Sequence, residues 1–215
     1  MSIKVEVWGE YACFTRPEMK TERVSYDVIT PSAARGIIES IFWHPGMKWV
    51  IDRIYVLAPI RFTNIRRNEV KAVVSGTNVR SVMAGGKGTL AIYTSQEIQQ
   101  RAALILQDVH YVLEAHFEMT ERAAPCDNSG KFQEMIRRRL AKGQAYSQPY
   151  LGCREFPAHC REWKEQEIPA LPLTQDLGYM LHSLDYSDPK NIVPRFYRAR
   201  LVNGVIDLRD CEVVS

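Results

Sequence analysis

LILQDVHYVLEAHFEM, residues 104–119, alternates with a period of two. Tyr111, Leu113, Ala115, Phe117 and Met119 share one parity; His110, Val112, Glu114, His116 and Glu118 share the other. Successive side chains of a strand point to opposite faces, so this is a strand with one apolar and one polar face. Both histidines stand on the polar face. At about 3.3 Å per residue they are ~20 Å apart, too far to serve one catalytic centre.

Outward from this strand the chain alternates between the two kinds of element. Ile3-Lys4-Val5-Glu6-Val7-Trp8 has strand parity. A basic loop follows, with Arg16, Lys20, Arg23 and Tyr26. It leads into a helix that Thr30 caps and Pro31 opens, with Ala33, Ala34, Ile37, Ile38, Ile41 and Phe42 as the apolar stripe. Pro45-Gly46 ends it. Trp49–Leu57 and Arg61–Val74 read as strands, with Pro59 between them. Ser81–Gly88 reads as a mobile glycine-rich loop. After residue 119, Asn128 or Ser129 caps a second helix whose inward residues are Phe132, Met135, Ile136 and Leu140, with Gly143 as its stop. The tail, 178–214, reads as three short strands with turns at Asp188-Pro189 and Asn203-Gly204. With the basic hairpin taken as an insertion, the order is β-α-β-β-α-β followed by a small β-rich region. That is an α+β, ferredoxin-like (RRM-like) plan, expected over residues 1–160, with a C-terminal antiparallel β appendage over 161–215. Modules of this plan read RNA on their sheet.

Composition narrows the class. Of 215 residues, 46% are apolar, enough for a sizeable core. No apolar run approaches the ~18–20 residues that span a bilayer. MSIKVEVWGE carries no signal-peptide core, so a cytoplasmic location is expected, with no membrane partner. Five scattered cysteines form no CxxC pair and read as reduced thiols. Net charge is only +3, but residues 53–96 hold seven basic side chains against Glu69 alone. Such regional charge suits a polyanion.

Several chemistries lack their motifs. Gly85-Gly86-Lys87-Gly88-Thr89 does not have P-loop spacing, and there is no GxSxG, HExxH or DxD. No cofactor and no metal site is expected. Metal-free RNA scission remains, because RNA supplies its own nucleophile, the 2′-OH. The enzyme then needs a base, an acid and a cation. His116 is the leading acid/base candidate, and His44, just past the first helix, is a spare. His110 is weaker; His159 and His182 read as surface residues. RNA-backbone contacts are expected from Arg16, Lys20 and Arg23 of the first loop, and from Arg66, Arg67, Lys71 and Lys87 of the basic hairpin. Arg137, Arg138 and Arg139 of the second helix, and Arg154 after it, complete the set.

Four stretches together resemble a known family: VWGEYACFTRPEMKTERVSYDVITPSAARGIIESIFW (7–43), WVIDRIYVLAPIRFTNIRRNEV (49–70), LQDVHYVLEAHFEM (106–119) and YLGCREFPA (150–158). The family is the type I-C CRISPR-associated Cas-five family, subtype d. The resemblance implies a ferredoxin-like domain that cuts precursor CRISPR RNA without metal and keeps the 5′ handle of the guide RNA. It also implies partnership with the other subunits of the type I-C interference complex. The family's cleavage group is described as a tyrosine, a lysine and a histidine. The histidine matches His116. The tyrosine position reads Phe42 and the lysine position Ala115. Tyr11, His44, Lys87 and Arg23 are the groups that could stand in. Two other readings stay open: a non-catalytic subunit that binds the guide's 5′ handle, and a duplex DNA-binding subunit acting through the basic hairpin.

Overall fold

A computed structural model describes residues 2–215. The chain runs β1 (Ser2–Ala12), α1 (Pro31–Ile41), β2 (Met47–Val56), β3 (Phe62–Val70), α2 (Gly76–Met83), β4 (Ile98–Met119), α3 (Ser129–Lys142), β5 (His159–Glu162), β6 (Gln175–Asp185), β7 (Val193–Leu201), β8 (Val205–Asp207) and β9 (Val213–Val214). The main sheet has the order β5-β1-β4-β2-β8, with β3 also on β4, and every pairing is antiparallel. A second sheet is ordered β6-β7-β9. The protein is thus a mixed α+β fold with antiparallel sheets.

β4 is the spine. Its second half lies between β1 and β2, and its first half pairs with β3 as a long hairpin. Asp108, at φ 52°, marks the change between the halves. The odd residues of β4 and β1, including Tyr111, Leu113, Ala115, Ile3, Val5 and Val7, are buried with Trp49 and Ile54 of β2. Ile37, Ile38 and Ile41 of α1 and Phe132, Ile136 and Leu140 of α3 are buried in the same cluster. Thr30 caps α1 by accepting from the Ala33 N–H, and Asn128 caps α3 by accepting from the Lys131 N–H at 2.9 Å. Gly143, at φ 61°, ends α3 in the left-handed region, as its position predicts.

Three features differ from the sequence reading. The stretch read as a mobile loop from Ser81 begins inside α2, which is capped by Ser75 and has no buried residue. Eight residues without a buried face leave no periodic signal to read. The tail has four strands rather than three. One of them, β8, returns to the main sheet beside β2, and the 160/161 boundary falls inside β5, which pairs with β1. Met180, Tyr197, Ala199 and Leu201 of the second sheet belong to the common core.

The turn at 150–157 is sewn to the end of β1. The Cys13 N–H donates to the Leu151 carbonyl at 3.0 Å. Gly152 sits at φ +84°, where a Cβ would lie 2.0 Å from the Cys13 carbonyl oxygen. Gly152→Ala should therefore destabilise the protein by about 3 kcal/mol, combining left-handed strain with backbone overlap. The check is thermal unfolding, where the midpoint should fall by roughly 6–12 °C.

Candidate nucleic-acid interface

Helices α1 and α3 cover one face of the main sheet, and the even residues of β1 and the second half of β4 stand on the other. Two imidazole–carboxylate pairs are built there. His116 Nδ1 lies 2.8 Å from Asp52 Oδ1 and 3.0 Å from Oδ2. Asp52 reaches it because the β2–β4 register shifts between Ile51 and Arg53, a bulge that re-aims the intervening side chain. The His116 side chain is 35% exposed, that of Asp52 only 14%. Beside them Glu114 accepts from Tyr55 Oη at 2.8 Å and from Arg53 at 3.3 Å. The second pair is His110 Nε2 with Glu6 Oε1 at 2.8 Å. Glu6 also takes two hydrogen bonds from Arg161, through Nε and Nη2. Burial pushes the Glu6 carboxyl up, but the bonds from Arg161 and His110 outweigh it and hold the group below the ordinary range.

The catalytic candidates read from the sequence are not gathered into one centre. His116 pairs in register with Ser2, and Tyr11 with Gln107, so about nine residues of strand, ~30 Å, separate them. A hydrogen bond to Glu10 holds the Tyr11 hydroxyl above its usual range. His44 lies at the His116 end of the sheet but on the helical side. Its ring packs 4.9 Å from Phe132, and its Nδ1 accepts from the Gly46 N–H. Phe42 is buried against Phe132 and under Arg139, and Ala115 is fully buried. Both therefore face the helices, while His116 faces away from them.

The basic residues fall into two groups. Arg23 of the first loop and Arg67 of β3 both meet Glu155 in the 150–157 turn, and Arg23 also donates to Cys153 Sγ at 3.4 Å. The loop is laid along β4: the Leu104 N–H donates to the Arg23 carbonyl, and the Ser25 N–H to the Leu104 carbonyl. Loop, hairpin and turn thus converge on one basic junction; Arg66 and Arg154, adjacent in sequence to Arg67 and Glu155, are exposed. Arg16 pairs with Asp27 at 3.3 Å and lies over the Tyr26 ring, Lys71 pairs with Glu97, and Lys20 and Lys87 are exposed. The second group is on α3. There Arg137 pairs with Glu162 at 3.1 Å, Arg139 caps the Ile41 carbonyl, and Arg138 is exposed. Among the described residues, no cluster of three or more His, Cys, Asp or Glu could hold a metal ion. No helix is long and apolar enough to cross a membrane. Sequence reasoning missed Asp52, Glu6 and Arg161. For Glu6 the signal was the parity of β1; for Asp52, out of register at a bulge, there was none.

A family model described as CRISPR-associated protein (Cas_Cas5), of the Cas5d type, matches residues 2–209. The chain belongs to the Cas5d family. It is 51% identical over 216 residues to the CRISPR pre-crRNA endoribonuclease Cas5d of Mannheimia succiniciproducens, covering 96% of this chain and 94% of that protein. It is 39% identical over 223 residues to the protein of the same name from Thermus thermophilus, covering 96% and 90%. Among solved structures it matches a functionally uncharacterized protein, SMU1763c, of Streptococcus mutans. That likeness has a TM-score of 0.70 at 25% identity, covering 100% of this chain and 97% of the other. A CRISPR RNA-guided surveillance complex contains a chain similar in fold, with a TM-score of 0.50 at 13% identity, covering 100% and 89%.

The Glu6 network makes a pH-dependent prediction for this Cas5d chain. A carboxyl depressed by its partners contributes stability above its unfolded pKa, and that contribution is lost as pH falls through the folded one. Arg161→Ala should therefore lower the melting temperature at pH 7, and the gap to wild type should shrink toward pH 3. A gap independent of pH would remove Glu6 as the cause.

Proposed function

We propose that this chain is a metal-independent endoribonuclease that cuts precursor CRISPR RNA in its repeat and retains the 5′ handle in a type I-C interference complex. The observation that carries the reading is near-full-length identity of 51% with a protein named a CRISPR pre-crRNA endoribonuclease. The guide-complex role draws on the likeness to a chain of an RNA-guided surveillance complex. A ferredoxin-like description fits as well. Taking β1, α1, β2, β4, α3 and β5 as the β-α-β-β-α-β unit, the sheet order β5-β1-β4-β2 supports this description. The β3–β4 hairpin and the tail are additions to it.

In this reading His116 is the acid/base group. Asp52 holds its Nδ1 and leaves Nε2 for the 2′-OH or the departing 5′-oxygen. Lys48 supplies the cation in place of the missing lysine. In register it stands opposite Glu118 while Val50 stands opposite His116, so Lys48 is the diagonal neighbour of His116 on the same face. The junction of Arg23, Arg67 and Arg154 grips the backbone, and affinity should fall with salt at about 0.7 log units per phosphate contact and per tenfold salt.

The decisive assay incubates the chain in EDTA with its cognate repeat RNA and with a copy carrying a 2′-deoxy at the scissile nucleotide. Only the first should be cut. His116→Ala should slow cleavage by about 10²–10⁴-fold, and Lys48→Ala and Asp52→Asn should slow it while leaving RNA affinity near wild type. Cleavage that survives in His116→Ala sends the search to Tyr11, His44 and the lysines. Tight binding without any cutting would establish the second reading, a 5′-handle-binding subunit, which Phe42 and Ala115 favour. Equal competition by unrelated duplex DNA would favour the DNA-binding reading.

A further inference from the structure

We propose that Trp8, His159 and Arg161 form a stacking subsite for one unpaired nucleotide of RNA on the helix-free face of the sheet; the inference rests on the RNA-processing reading above. β5, β1 and β4 are adjacent, and their register sets His159, Trp8 and His110 side by side in one row across three strands. The Trp8 ring stacks on His159 with centroids 5.5 Å apart and planes 23° from parallel. It meets His110 edge-on at 6.2 Å. The Arg161 guanidinium carbon lies 5.4 Å from the Trp8 centroid.

The fold spends a buried carboxylate to hold this arrangement. The Glu6 side chain is 4% exposed, yet its partner Arg161 is 65% exposed. An exposed arginine needs no buried acid for its own stability, since surface pairs contribute little and buried charge is costly. What Glu6 does is fix direction. It takes Nε and Nη2 of Arg161 and leaves Nη1 without a protein hydrogen bond among the described residues, beside the Trp8 ring. It also takes His110 Nε2, setting that ring against the edge of Trp8.

The result is an aromatic surface with one aimed cation, the pair of features that single-stranded RNA requires: a π-face for the base and a donor for its phosphate. Trp8 and His110 stand on adjacent strands in the middle of the sheet, where four-stranded RNA-reading sheets carry their stacking residues. Charge sets the polarity. Lys4 and Arg161 lie on one side of the row. Glu10, exposed and two residues beyond Trp8 on the same face, lies on the other. The phosphate therefore sits on the Arg161 side, and the RNA backbone runs along β5. Stacking tolerates any base, so the subsite accepts a nucleotide by its being unpaired rather than by its identity.

The test is fluorescence anisotropy with labelled repeat RNA, on variants whose native melting has been checked. Trp8→Ala should weaken binding by about 5–100-fold, with Trp8→Phe restoring most of the loss. His159→Ala, at an exposed position, should weaken it without affecting the fold. Abasic substitution at each unpaired nucleotide should find one position where the loss and that of Trp8→Ala are not additive, which identifies the stacked base. If Trp8→Ala fails to fold, the comparison of Trp8→Phe and His159→Ala with wild type carries the same decision. Wild type that neither binds nor cuts repeat RNA sinks the RNA-processing reading itself. Wild type that binds and cuts, with Trp8 and His159 variants binding equally well at every abasic position, overturns the subsite alone. Equal loss of affinity for fully duplex DNA also overturns it, because paired bases present no face to Trp8.

Discussion

Alternation along β4 is the constraint on which the rest depends. Held between β1 and β2, the strand can turn only one parity toward the helices. Leu113 and Ala115 take the core side with α1 and α3, and His110, Glu114 and His116 are left on the other. A slip of one residue would drive both imidazoles and a glutamate into the core, so the packing of Val5, Leu113 and Ile54 fixes the positions of the polar groups as firmly as any contact among those groups. The site's placement is in this sense a by-product of core formation, and the helices contribute to it without touching it.

The same alternation explains why two histidines of similar chemistry have different prospects. Each accepts a carboxylate neighbour, which fixes one ring nitrogen and leaves the other available. His110 shares its glutamate with Arg161 and faces Trp8, an environment for holding a nucleotide. His116 has Asp52 to itself and has Lys48 as its diagonal neighbour, an environment in which a proton could be moved and a developing negative charge met. The two lie ~20 Å apart along one strand, a span of several nucleotides of extended RNA, so one strand can present a binding row and a reacting group to the same molecule.

Much of this was legible in the sequence, and what was not has definite causes. Thr30-Pro31 and Asn128…Gly143 mark helix ends by local chemistry, and the structure places caps at those residues. The β4 parity was readable because it persists over many residues. α2 was not, because its apolar residues face solvent and no buried stripe exists to detect. The return of β8 to β2 joins residues about 150 apart in sequence, a pairing that no local pattern encodes. Asp52 was missed because a bulge breaks the period that would have assigned its face. The family was legible from long stretches taken together, but Phe42, which the resemblance sets at a tyrosine position, could be interpreted only once it was seen packed on Phe132, on the opposite side of the sheet from His116.

The basic residues show why a count of charges is a poor guide to a phosphate site. Arg16, Arg23, Arg67, Lys71 and Arg137 each already face an acid. Partly exposed pairs of this kind contribute about 0–1 kcal/mol, so an incoming phosphate can exchange with the acid at little cost. The phosphate still gives up its condensed cation in the exchange, so these contacts also add to the salt dependence of binding. Lys20, Arg66, Lys87, Arg138 and Arg154 are exposed and face no acid among the described ion pairs, so they meet a phosphate without that exchange, while the paired arginines also set shape and register. Glu155 has a particular place in this, since it ties Arg23 and Arg67 together and draws loop and hairpin to one point. A phosphate that displaced Glu155 would find two guanidinium groups already converged on it, with the ordering entropy of three segments met in advance by the fold.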